Sequence, residues 1–157
     1  MTFVTSFKRK YMKRIFIIDW VLIGVFILSA CSGFGLHIAG HGNSHETWHN
    51  WAVFHIIGST LFFATILLHL VTHKGWYKGI LKNGIGRKSK VTVVLSIIFL
   101  FLSATGFALL GMSGADSSLG LWHYKTGIIT TLMVIGHTIK RLPVLRKSLD
   151  TKKAIKR

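Results

Sequence analysis

The stretch Trp51–His73, WAVFHIIGSTLFFATILLHLVTH, decides the fold. It is continuously apolar over a length close to the ~20 residues that a helix needs to cross a hydrocarbon core. It also carries His55 and His69, fourteen residues apart. On an α-helix that interval is ~21 Å of rise, with the two side chains within ~40° of each other around the axis. Two imidazoles therefore point the same way at two depths. The interval recurs in HYKTGIITTLMVIGH, between His123 and His137, so two hydrophobic segments carry matched histidine pairs.

Working outward, three more apolar runs have spanning length: Ile15–Leu36, Val91–Met112 and Leu121–Ile139. Half of the 157 residues are hydrophobic, and the mean hydropathy of +0.51 lies above that of ordinary soluble domains. A β-barrel would need ~10-residue segments alternating apolar and polar, and these runs do not alternate. The pattern predicts an all-α integral membrane four-helix bundle over residues 15–142. A basic leader, 1–14, precedes it and a basic tail, 143–157, follows it. Phe3, Val4, Phe7, Tyr11 and Met12 suit the leader to an interfacial helix. Pro143 is expected to stop the last span.

The net charge of +16 would suggest nucleic-acid binding in a soluble protein, so its placement matters. Nineteen of the twenty Lys and Arg residues fall before the first span, between the second and third, or after the fourth; Lys125 is the exception. By the positive-inside rule both termini and the middle loop are cytoplasmic, which implies a multi-pass protein of the inner, cytoplasmic membrane. The cations then serve topology and attraction to anionic membrane lipid, and nucleic acid is not an expected partner.

Cys31 is the sole cysteine, which excludes an intrachain disulfide, and no C-x-x-C-H motif is present for thioether attachment of a haem. Gly33 and Gly35 near the end of the first span, like Gly106 and Gly111 in the third, permit close approach of another helix or a flat cofactor. The outer connection HIAGHGNSHETWH spaces His37, His41, His45 and His49 four residues apart, with Glu46 among them. Gly40, Gly42 and Asn43 interrupt that series, so only His37/His41 and His45/His49 keep helical spacing, and a polar outer loop is the expectation over a metal site. The segment Lys74–Lys90 reads as a short basic loop with too many glycines for a long helix.

Ionisable residues inside membrane helices are rare and face protein or water, so each span histidine is a functional candidate. Spans two and four run in the same direction in this topology. Counting back from Lys74 and Lys140 places His55 with His123 at an outer level and His69 with His137 at an inner one. Two facing imidazoles can supply both axial ligands of a haem iron, whereas a structural zinc uses four ligands. Two non-covalent haems b are therefore expected, with His55, His69, His123 and His137 as iron ligands. His49 and His73 are lower-ranked alternatives, since each could replace its neighbour.

The paired H-x13-H pattern resembles cytochrome b of the quinol:cytochrome c oxidoreductases. The four-span layout, with WHNWAVFH, HLVTHKGW and SGFGLH, resembles the flavinylation-associated membrane cytochrome b family. That resemblance implies a dihaem electron-transfer subunit of a membrane oxidoreductase. It would carry electrons between a quinol or cytoplasmic donor and an extracytoplasmic redox protein, often one with covalent FMN. His73 with Trp76 and Tyr77 offers a place for a quinone headgroup, against the simpler reading of a solvated interface. His49, Glu46 and Asp116 are the corresponding candidates outside. A histidine-based metal-ion transporter or sensor is the principal alternative, and a haem-free scaffold a third.

Overall fold

A computed structural model describes the backbone of residues 2–42, 44–86, 89–112 and 117–154, and the side chains of 14–42, 44–86, 89–112 and 117–146. Among the described residues all regular structure is helical. The helices are α1 (Thr2–Gly40), α2 (His45–Thr72), α3 (Lys74–Asn83), α4 (Lys90–Leu110) and α5 (Ser118–Ala154). Four are long and apolar enough to cross a membrane: Arg14–Gly40 of α1, all of α2, all of α4, and Ser118–Arg146 of α5. Their backbone groups are satisfied within each helix, as the hydrocarbon core demands.

The helices depart from expectation in two places, each with a physical reason. The leader is helical as expected and runs without a break into the first span as part of α1. The side chains of Phe3, Val4, Phe7, Tyr11 and Met12 lie outside the described residues. The middle segment is not a loop throughout: Lys74–Asn83 forms α3, with Lys74, Lys78 and Lys82 on one face at i, i+4 spacing and Trp76 and Ile80 on the opposite one. An amphipathic face of that kind compensates for Gly75 and Gly79 at a membrane surface. Pro143 lies inside α5 and does not end it. It removes one intrahelical hydrogen bond, while the following Val144-Leu145-Arg146-Lys147 restores helix-compatible sequence.

The chain divides into two compact units, Met1–Gly75 with Val144–Arg157, and Trp76–Pro143. In the first, α1 packs on α2. Ser44 caps α2, its hydroxyl accepting from the Thr47 amide at 3.2 Å. The buried residues of α2, Gly58, Phe62 and Thr65, stand three, seven and ten positions after His55. They therefore share the face that carries His55 and His69. Phe62 meets Phe26 of α1 with ring centroids 5.8 Å apart, and Gly58 sits against Leu28 and Ser29. Gly35 of α1 makes the closest approach: a Cβ there would lie 2.5 Å from the indole of Trp51. Gly35→Ala is expected to cost about 1–3 kcal/mol by overpacking, read as a lower unfolding temperature in detergent.

In the second unit, the Tyr77 hydroxyl of α3 and Ser96 Oγ of α4 are 3.0 Å apart. Ser96 donates to the Thr92 carbonyl, so Tyr77 is the donor between the two. The buried Thr126 and Thr130 of α5 follow His123 by three and seven positions and again mark the histidine face. Each buried threonine donates its hydroxyl hydrogen to a carbonyl of its own helix, Thr126 to Trp122 and Thr130 to Thr126. This removes the penalty of a bare hydroxyl in an apolar environment.

Candidate functional site

The site residues are built by two helix pairs that solve the same problem in the same way. In the first pair, Ser32 of α1 is fully buried and donates to the Ser29 carbonyl at 2.9 Å. Its single hydrogen is thereby used, and Ser32 Oγ lies 3.1 Å from His55 Nδ1. The oxygen can only accept, so His55 carries its proton on Nδ1 and its lone pair on Nε2. The adjacent Gly33 makes room for the ring: a Cβ there would stand 3.1 Å from His55 Cε1.

The second pair repeats this arrangement. Thr105 of α4 is buried and donates to the carbonyls of Leu102 and Phe101 at 2.9 and 3.1 Å. Its Oγ1 lies 3.0 Å from His123 Nδ1, which fixes the same tautomer. A Cβ on Gly106 would stand 3.0 Å from His123 Cε1. Gly33 and Gly106 thus accommodate a histidine ring from the neighbouring helix. The correspondence is visible in sequence as an internal repeat: Ser32-Gly33-Phe34-Gly35-Leu36 aligns with Thr105-Gly106-Phe107-Ala108-Leu109. The histidine spacing and the glycines signalled parts of this motif; the hydroxyl beside each glycine is the part that spacing arguments passed over.

His69, at the other end of α2, has a different partner. Its Nδ1 lies 2.8 Å from Asp19 Oδ1 of α1. A carboxylate accepts, so Nδ1 of His69 is the donor here too. His73 packs beside His69 with ring centroids 4.5 Å apart and planes tilted by 45°. One possible ligand atom from each of Asp19, His69 and His73 lies within 4.8 Å of the others. Asp19 was a legible signal as an acid inside an apolar span; its contact with His69, fifty residues away, was not.

The remaining candidates are placed as follows. His137 is half-buried on α5. His49 is exposed in the first turns of α2, as is Glu46. His37 and His41 meet edge to face at 4.8 Å between centroids, while His45 contacts Trp48. Among the described residues the outer histidines form no three-ligand group; α1 ends at Gly40 and α2 starts at His45, which breaks the series where the glycines predicted. Asp116 lies outside the described residues.

Chemically, the three rings held at Nδ1 have the tautomer in which Nε2 is the ligating atom for a metal, with Nδ1–H oriented by an oxygen of the neighbouring helix. Comparison of the chain with protein-family models finds no match, and comparisons with curated proteins and with solved structures find none either.

Proposed function

We propose that this chain is a dihaem b-type cytochrome, with His55, His69, His123 and His137 as the axial ligands of two non-covalently held haems. The observation that supports it best is the shared tautomer. His55, His123 and His69 are each oriented through Nδ1 by Ser32, Thr105 and Asp19, the arrangement by which proteins fix a ligating histidine. The donor set fits haem iron, since imidazole is its commonest axial ligand. When bound, each haem supplies a one-electron couple, and two histidine ligands leave no open coordination position for oxygen.

The chain's own contribution is to hold and orient ligands at two depths along α2 and α5, in helices that exclude water. With the termini and basic segments in the cytoplasm, the protein carries electrons across the inner membrane between a quinol or cytoplasmic donor and an extracytoplasmic redox partner. The resemblance to flavinylation-associated cytochromes makes an FMN-carrying protein the first partner to try. Full-length protein purified from haem-replete membranes is expected to give a reduced-minus-oxidised b-type spectrum and a pyridine haemochrome count of two per chain. A colourless protein would overturn this reading.

The Asp19, His69 and His73 cluster supports a second reading, a membrane metal-ion transporter or sensor. Two imidazoles and a carboxylate suit a divalent first-row ion. A colourless preparation that binds zinc stoichiometrically, and loses it on His73→Ala, would favour this reading over the first.

A further inference from the structure

Resting on the dihaem reading, we infer that Asp19 is a positioning residue that lowers the midpoint potential of the haem ligated by His69, so that electrons run downhill from the His69 level toward the His55 level. The three oriented histidines differ in what accepts their Nδ1–H. At His55 and His123 a neutral hydroxyl whose own hydrogen is already given to backbone carbonyls faces Nδ1 at 3.1 and 3.0 Å, and at His55 the backbone of Ser29 adds a further neutral hydrogen-bond partner. At His69 the acceptor is a carboxylate oxygen at 2.8 Å. A charged acceptor makes the stronger hydrogen bond and draws the Nδ1 proton toward itself. Electron density moves to Nε2, the ring becomes a more basic ligand, and a more basic ligand favours ferric over ferrous iron.

Position enlarges the effect. The Asp19 side chain is 18% exposed and that of His69 28%, so water screens their interaction only in part. Asp19 lies five residues inside the span that begins at Arg14, where a charge is costlier to keep than a neutral tie such as that of Ser32. Basic residues cluster beyond the same end of α2, from Lys74 onward, but α3 holds Lys74 and Lys78 exposed, where solvent and salt screen them. The direct contact therefore decides the sign. His55 and His69 lie ~21 Å apart along α2. With the basic end of the helix cytoplasmic, a lower potential at His69 directs electrons from the cytoplasmic side toward the outer side.

The test is a spectroscopic redox titration of the full-length haem-loaded protein and two variants. Asp19→Asn keeps an oxygen acceptor and removes the charge. Asp19→Ser recreates the hydroxyl chemistry found at His55 and His123. In both, the midpoint of one haem is expected to rise while the other stays fixed. Two haems with unmoved midpoints in either variant would overturn the inference, and a purely structural tie would lower the unfolding temperature without moving a midpoint. The His69→Ala variant, compared with wild-type protein, provides a second arm that needs no change at Asp19. The haem that survives His69→Ala should titrate at the higher of the two wild-type midpoints, and survival of the lower one would overturn the inference. Failure of the dihaem reading is separately visible as a missing haem spectrum before any titration begins.

Discussion

On the dihaem proposal, replacing His69 with alanine is expected to halve the haem content, leaving one haem per chain with an otherwise intact b-type spectrum. The imidazole is the only group that the substitution removes from iron, and the ligands of the other level lie ~21 Å away along the same helix. His73 is the residue that could defeat this expectation, because its ring is already 4.5 Å from that of His69. Four residues separate the two, so they share a helix face one turn apart. A replacement ligand one turn away starts ~6 Å along the axis from the position that His69 holds. His73→Ala should accordingly retain both haems. Retention of both in His69→Ala, with loss of one in His73→Ala, would transfer the ligand role to His73. The alanine variant also strips the Asp19 carboxylate of its partner, which costs about 1–3 kcal/mol. A lower unfolding temperature is thus expected alongside the haem loss, and Asp19→Asn in the His69→Ala background should recover part of it.

Membrane helices were the most legible part of this chain because a continuous apolar run has few alternatives in lipid. The faces of α2 and α5 were legible too, since fourteen residues return a helix to nearly the same azimuth, and the buried Gly58, Phe62, Thr65, Thr126 and Thr130 fall on that azimuth. Helix ends were read less well. Pro143 obeys a local rule that the surrounding helix-forming residues outweigh. In α3, tabulated glycine costs overlooked an amphipathic pattern that a membrane surface stabilises. Contacts between distant residues were the least legible: Asp19 with His69 and Ser32 with His55 are fixed by helix packing, which periodicity does not encode. The repeated Ser/Thr-Gly-Phe motif is the one local trace of that packing, and it becomes meaningful once each glycine is seen to face a histidine ring.

On the dihaem proposal, Gly33→Val and Gly106→Val are expected to weaken retention of the same haem, the one assigned to His55 and His123, while sparing the other. At both positions a single Cβ would already lie 3.0–3.1 Å from the Cε1 of His55 or His123, a distance at which the neighbour must give way. Valine adds two further methyl groups on a stiff, β-branched side chain that cannot swing clear within a helix. The ring must therefore move, and movement breaks its Nδ1–H bond to Ser32 or Thr105, which are part of the same helical turn as the glycine. Overpacking costs about 1–3 kcal/mol, and the lost hydrogen bond about 0.5–1.5 kcal/mol more. Together these correspond to on the order of 10- to 1000-fold weaker retention of that haem, at 1.4 kcal/mol per factor of ten. Alanine should produce a smaller loss in the same direction. Gly24→Ala is the matched control: among the described residues nothing outside its own helix lies within 4 Å of a Cβ there. It should keep both haems and gain up to about 1 kcal/mol of helix stability. Far-ultraviolet circular dichroism on wild-type protein and on each of these variants separates ring displacement from unfolding, because displacement leaves helix content unchanged. If Gly33→Val and Gly106→Val remove different haems, the two cradles serve different levels, and the equivalence of His55 and His123 falls with that result.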